Sequence, residues 1–155
     1  MFKIWVDADS CPSRIRDIIL KNAKRLSLEV SFVANRNIPF SLSDSLFSMI
    51  VCPNEEGAAD NYIVSNAEKK DLVITRDLPL AKRLIEKEID VINDRGKIFY
   101  QENLEKMLTQ RNLNMLMSAA GIKSNGRKDS YGKKEIYEFS NCLDKILSKK
   151  IKENR

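Results

Sequence analysis

The chain has 155 residues, 43% of them hydrophobic and 32% charged, and carries a formal net charge of +5. No apolar run approaches the roughly 18 residues that a membrane-spanning helix needs, so a globular, cytoplasmic protein with no membrane association and no signal peptide is expected. Histidine is absent, which removes Ser–His and Cys–His dyads and the usual mononuclear zinc sites. Cys11, Cys52 and Cys142 are an odd count without metal-ligand spacing, so reduced thiols are expected rather than disulfides.

Phe2 to Val6 is an apolar, β-rich run long enough for one buried strand. It stops at Asp7, and Asp9 follows two residues later. Ser10 is a candidate N-cap for a helix opening at Pro12. Ile15 to Leu26 reads as that helix, with Ile15, Ile18, Ile19, Ala23 and Leu26 on one face. Leu28 to Val33 is a second strand, closed by the polar turn Ala34-Asn35-Arg36-Asn37. After an irregular Ser-rich connection, Phe47 to Val51 is a third strand, ended by Cys52-Pro53.

A helix is predicted over Ala58 to Lys69, with Ala59, Ile63 and Ala67 facing inward. Leu72 to Thr75 is a short, fully apolar strand of the parallel, buried kind. Arg76-Asp77-Leu78-Pro79 closes it and opens a helix over Leu80 to Lys87. Ile89 to Ile92 is a further strand, followed by the turn Asn93-Asp94-Arg95-Gly96. Beyond about residue 100 the strands stop. An amphipathic helix over Glu102 to Ala120, offering Leu104, Met107, Leu108, Leu113, Leu116 and Met117 for packing, is ended by Gly121. A polar loop and a last helix over Lys133 to Lys150 complete the chain.

Short apolar strands alternating with helices predict a single α/β domain of three layers, a parallel sheet with helices on both faces. Residues 1–100 form its core and residues 101–155 a helical extension. In such a sheet all strand C-termini lie along one edge, where ligands bind. Asp7, Asp9 and Asp77 can converge there, and Asp60 can reach the same cleft from the first turns of its helix. Four carboxylates with no lysine between them make an oxygen-rich pocket suited to Mg²⁺ or Mn²⁺. Such an ion polarises a phosphoryl oxygen and readies water for attack. This chemistry needs no histidine. A plainer alternative leaves Asp7 and Asp9 as caps of the first helix, Asp77 as an N-cap and Asp60 as a surface residue. Asp71 and Asp94 read as turn residues. Cys11 sits beside a helix start, a position that can lower a thiol pKa, but Arg14 and Arg16 are at the wrong spacing for a phosphate-binding Cys-x₅-Arg loop, which argues against a thiol nucleophile.

The charge is unevenly placed. Residues 1–122 balance 17 Lys and Arg with 17 Asp and Glu, whereas residues 123–155 hold 10 against 5. The surplus points to a polyanionic partner, and a solvated basic tail is the plainer alternative. Asn35, Arg36, Arg95, Arg127, Lys128, Lys133 and Lys134 are the candidate nucleic-acid contacts.

Val6-Asp7-Ala8-Asp9-Ser10-Cys11-Pro12 resembles the V-D-A-D-A-C-P signature of the YaiI/YqxD family. Val33-Ala34-Asn35, Ala59-Asp60-Asn61, the stretch Asp71 to Ala81 and Arg95-Gly96 follow in the expected order. The similarity covers nearly the whole chain. It implies a PIN-like nuclease domain in which clustered acidic residues bind a divalent metal. Two departures stand out. The family's T-G-G-P loop is matched by Ser124-Asn125-Gly126-Arg127, and its acidic position near the start of the last helix by Glu135. The leading reading is therefore a metal-dependent nuclease acting on RNA. Asp7-Ala8-Asp9 also resembles the D-x-D loop of haloacid-dehalogenase-type phosphatases, with Asp7 as nucleophile, although Cys11 stands where that loop has Thr or Val. The third reading is a nucleic-acid-binding protein without catalysis. Oligomeric state is not legible in these residues.

Overall fold

The computed structural model describes residues 1–40, 44–122 and 131–153. Six strands form one sheet in the order β3-β2-β1-β4-β5-β6. They are β1 (Lys3–Asp7), β2 (Glu29–Ala34), β3 (Phe47–Val51), β4 (Leu72–Ile74), β5 (Asp90–Ile92) and β6 (Ile98–Phe99). All neighbours run parallel except β5 and β6. The two-residue β6 was not predicted; it is too short to carry a periodic signal of its own.

Among the described residues five α-helices cover the sheet: α1 (Ser13–Leu26), α2 (Ala58–Asn66), α3 (Leu78–Glu86), α4 (Gln101–Ala119) and α5 (Lys133–Glu153). Side chains alternate faces along each strand. Ile4 and Val6 of β1, Val30 and Phe32 of β2, and Leu72 and Ile74 of β4 pack with Ile15 and Ile19 of α1 and Phe139, Leu143 and Leu147 of α5. Trp5, Val33, Val73 and Val91 point the other way, toward Ile63 of α2, Leu80 and Leu84 of α3, and Leu104 of α4. The expected three-layer α/β arrangement is the one observed.

Three local expectations are corrected. Ser10 does not cap α1, because Ala8–Ser10 form a 3₁₀ turn. The helix begins at Ser13 behind Pro12, with no side-chain cap. Asp7 and Asp9 therefore do not cap α1 either. Asp71 is more than a turn residue. It is buried and accepts hydrogen bonds from Lys3 N at 2.9 Å, Trp5 Nε1 at 3.0 Å and Glu68 N at 2.9 Å, stapling β1 to the start of β4. The third correction is α4, where Leu104 is buried but Leu113 and Leu116 of the predicted packing set are exposed. Its first half lies on α3 and its second half carries an open apolar surface. Gly121 does end this helix, at φ 77°.

Gly96 lets α5 close onto the β5–β6 turn. Its φ is 79°, and a Cβ there would collide with the backbone carbonyl of Glu138. A side chain at this point would push α5 off the sheet. No helix among the described residues is long and apolar enough to cross a membrane.

Candidate functional site: an acidic cleft at the carboxyl edge of the sheet

In this strand order the chain first moves outward through β1, β2 and β3, then returns to place β4 on the other side of β1. The connections leaving β1 and β4 therefore diverge, and the gap between them is where open α/β sheets bind ligands. Asp7 is the last residue of β1, and Thr75-Arg76-Asp77 follow β4. Asp9 lies in the 3₁₀ turn beyond β1, and Asp60 in the first turn of α2. The four converge as predicted. Asp7, Asp9, Asp60 and Asp77 line one cleft of about 340 Å³ together with Ser10, Asn35, Gly57, Ala59 and Arg76.

Each carboxylate is positioned differently. Asp7 is buried and its Oδ2 accepts from Thr75 Oγ1 at 2.8 Å and Ser10 Oγ at 3.2 Å. The same Thr75 hydroxyl accepts from Asp77 N at 3.0 Å, so one side chain ties the ends of β1 and β4. Asp77 Oδ1 caps α3 by accepting from Leu80 N at 2.9 Å. The capping role foreseen for Asp77 is real, and it leaves Oδ2 available to the cleft. Asp9 Oδ2 accepts from Asn35 N at 3.0 Å, and its Oδ1 lies 3.7 Å from Arg36 Nε. Among the described residues nothing donates a hydrogen bond to Asp60.

Electrostatics follow from this crowding. Burial raises the Asp7 carboxyl above its ordinary range; the Thr75 and Ser10 hydrogen bonds oppose the rise, and Asp77 and Asp9 add to it. Burial likewise pushes Asp60 up to about 6, with repulsion from Asp77 and Asp7 adding to the rise and Arg83 opposing it. The cleft holds more negative charge than its own hydrogen bonds neutralise. Asn35 Oδ1, also in its wall, is buried without a partner among the described residues.

A divalent cation is the natural counterion for an all-oxygen donor set. Among the described residues, no group of three acidic or thiol side chains is arranged to enclose a metal ion by itself. Mg²⁺ and Mn²⁺ do not need such an enclosure, being commonly held by one or two carboxylates with water and substrate oxygens completing the shell. Asp7 and Asp77, joined through Thr75, are the residues that would hold it.

The predicted nucleic-acid contacts are scattered. Asn35 lines the cleft and Arg36 stands at its rim beside Asp9. Arg95 is instead drawn to Glu135, at 3.9 Å, and to the Tyr131 ring, at 5.5 Å. Lys133 lines a shallow groove with Arg14 and Lys21 between α1 and α5, and Lys134 follows it in the first turn of α5 without lining the cleft. Arg127 and Lys128 lie outside the described residues.

Sequence reasoning missed Ser10, Thr75, Arg76 and Asp94. The signal for Thr75 and Arg76 was present, since they occupy the strand end that singled out Asp77. Asp94 was set aside as a turn residue, yet it is buried, pairs with Arg76, and its carbonyl accepts from Tyr131 Oη at 2.5 Å. The lowered thiol pKa that a helix start could give Cys11 is not observed: burial pushes it up to about 12, leaving it protonated at neutral pH, in line with the argument against a thiol nucleophile.

The model of the "Uncharacterized BCR, YaiI/YqxD family" matches residues 5–149. A protein of Treponema denticola is 50% identical over 151 residues, covering 97% of this chain and 95% of its own. One from Vibrio cholerae is 40% identical over 148 residues, 96% of this chain and 98% of its own. A Pseudoalteromonas atlantica protein is 37% identical over 148 residues, 96% and 99% respectively. Each is named only as a UPF0178 protein. No solved structure matches the chain. The signature around Asp7 and Asp9, the strand end at Asp77 and a match spanning nearly every residue place this chain in the YaiI/YqxD family.

Proposed function

We propose that the protein is a divalent-metal-dependent phosphodiesterase, a nuclease acting on RNA. The observation that carries the reading is the convergence of Asp7, Asp9, Asp60 and Asp77 on one cleft at the point where the strand order reverses. Four acids from three separate parts of the chain are costly to gather in a partly buried site unless a cation or its ligand neutralises them. The PIN-like nuclease resemblance implied by the motifs, and the basic surplus of residues 123–155, support the same chemistry.

When bound, Mg²⁺ or Mn²⁺ would polarise a phosphoryl oxygen and lower the pKa of a coordinated water. The chain's own residues orient the donors. Thr75 and Ser10 fix the Asp7 carboxylate by hydrogen bonding Oδ2, and among the described residues Oδ1 accepts no hydrogen bond. Asp77 is held by its cap on α3. Asp60, whose carboxyl burial pushes up to about 6 and which accepts no hydrogen bond among the described residues, is the candidate to take a proton from an attacking water near neutral pH.

The phosphatase alternative is less well served. It needs a lysine beside the Asp7 nucleophile, and among the described residues no lysine lines the cleft.

Incubation of the full chain with end-labelled RNA and DNA, in Mn²⁺, Mg²⁺ or chelator, tests the proposal. Metal-dependent cleavage of RNA that is lost in Asp7→Asn and reduced at least tenfold in Asp60→Asn is the expected outcome. RNA binding without turnover would replace the nuclease with a binding protein. Release of phosphate from monoesters through an acid-stable adduct on Asp7 would replace it with a phosphatase.

A further inference from the structure

We propose that Arg76 is the cleft's contact for a substrate phosphate, and that Asp94 is the residue that positions it. The inference rests on the cleft being a phosphodiester site and names the group that would recognise that substrate. Among the described residues Arg76 is the one cation in the wall of an otherwise acidic cleft. Left to itself, a guanidinium among four carboxylates would fold onto one of them, neutralising the site. It does not. Its Nη2 is paired with Asp94 Oδ2 instead, and among the described residues it makes no other hydrogen bond or ion pair.

The geometry of that pair is one-sided. The Asp94 side chain is 6% exposed and the Arg76 side chain 49%. A carboxylate this deeply buried requires a cationic partner, so the attraction fixes the guanidinium in place. Asp94 is itself held at the end of β5, where its carbonyl accepts from Tyr131 Oη and the following Arg95 lies against Glu135 and the Tyr131 ring. Only one nitrogen of Arg76 is spent on Asp94. The second N–H of Nη2 remains, and with an N–H of the neighbouring Nη1 or Nε it forms a planar fork that matches two oxygens of a phosphate. The result is a division of labour within one cleft. Asp7 and Asp77 would gather the cation, and the guanidinium anchored by Asp94 receives the phosphate.

The role is tested by binding rather than turnover. In a common Asp7→Asn background with Mn²⁺ present, anisotropy of a short fluorescein-labelled single-stranded RNA compares Arg76, Arg76→Gln and Arg76→Lys. A matched oligonucleotide with neutral methylphosphonate linkages is measured beside it. Arg76→Gln is expected to weaken binding of the charged oligonucleotide about tenfold and to leave binding of the neutral one unchanged, with Arg76→Lys between them. Arg76→Gln strands the buried Asp94 charge and can unfold the β5 turn, so Arg76→Gln/Asp94→Asn, which removes both charges together, must show the same loss. Asp94→Asn with Arg76 intact keeps the cation but frees it, and a smaller loss is expected.

Equal affinity of Arg76→Gln and its parent, an equal loss for both oligonucleotides, or no measurable binding by the parent would each overturn the assignment. The cleavage assay stands apart from this result. Absence of metal-dependent turnover overturns the nuclease reading without touching the Arg76 contact. Turnover with no effect of Arg76→Gln on binding overturns the contact and leaves the nuclease standing.

Discussion

At the scale of single residues the cleft is a conflict between position and charge. Asp7 is fixed by the strand it ends and cannot move away from Asp77, and Thr75 bridges the two by donating to one and accepting from the other's backbone. Asp60 has no such help, and its carboxyl is pushed up to about 6. The folded protein therefore holds its proton more tightly than the unfolded chain, whose ordinary value is 3.8. Stability from this group is fully present below about pH 4 and is lost as pH rises through about 6. Without metal, Asp60→Asn should be more stable than wild type at pH 7.5, by about 1 kcal/mol once screening at this half-exposed position is counted. The difference should vanish near pH 4. Chemical denaturation of both proteins at the two pH values checks this. A variant less stable than wild type at pH 7.5 would mean that Asp60 supports the fold rather than straining it.

At the scale of elements the helices divide by what they touch. Periodicity reveals α1 and α5 well, because each lays a continuous apolar stripe on one face of the sheet. It misleads for α4, whose apolar residues are spread around the helix rather than along one stripe. From Asn112 to Ile122 there is no charge at all, so the sequence offers Leu113 and Leu116 as readily as Leu104. Only the place where the helix leaves α3 decides which are covered, and that is a tertiary fact. Leu104→Ala should cost about 3 kcal/mol, whereas Leu116→Lys, at a 69% exposed position, should change stability by no more than about 0.5 kcal/mol. Urea unfolding of the two variants separates them. A large cost for Leu116→Lys would mean that this face is buried by a second chain in solution.

The same distinction governs how much of the site could be read in advance. Asp7, Asp9 and Asp77 declare themselves because strand ends and turns are local features, and a parallel sheet brings such ends together. Asp71 and Asp94 do not. Each sits in a turn with ordinary turn composition, and burial follows from side chains at a distance, Trp5 for one and Arg76 for the other. Ser10 looked like a cap because it precedes Pro12, but the competing hydrogen bond to Asp7 holds it in the 3₁₀ turn. Arg95 looked like a nucleic-acid contact because it is a cation beside a glycine. The contact with Glu135, from a helix roughly 40 residues away in the sequence, was invisible until α5 was in place.

At the scale of the whole molecule, two helical layers fix a sheet whose carboxyl edge is left open between β1 and β4, and nearly all the uncompensated negative charge of the site lies in that opening. If the cleft is a divalent-cation site, binding should relieve the strain that assembly creates. The direct measurement is the thermal midpoint of wild type and Asp7→Asn across a Mn²⁺ titration at neutral pH. A ligand at a hundred times its dissociation constant stabilises by about 2.7 kcal/mol, which for a chain of this size is a rise of roughly 5–10 °C. Wild type should show such a saturable rise. Asp7→Asn should show little or none, and its metal-free midpoint should equal or exceed that of wild type because a repelling charge is gone. A wild-type midpoint that does not respond to Mn²⁺, or an equal response in Asp7→Asn, would rule out a divalent-cation site in this cleft.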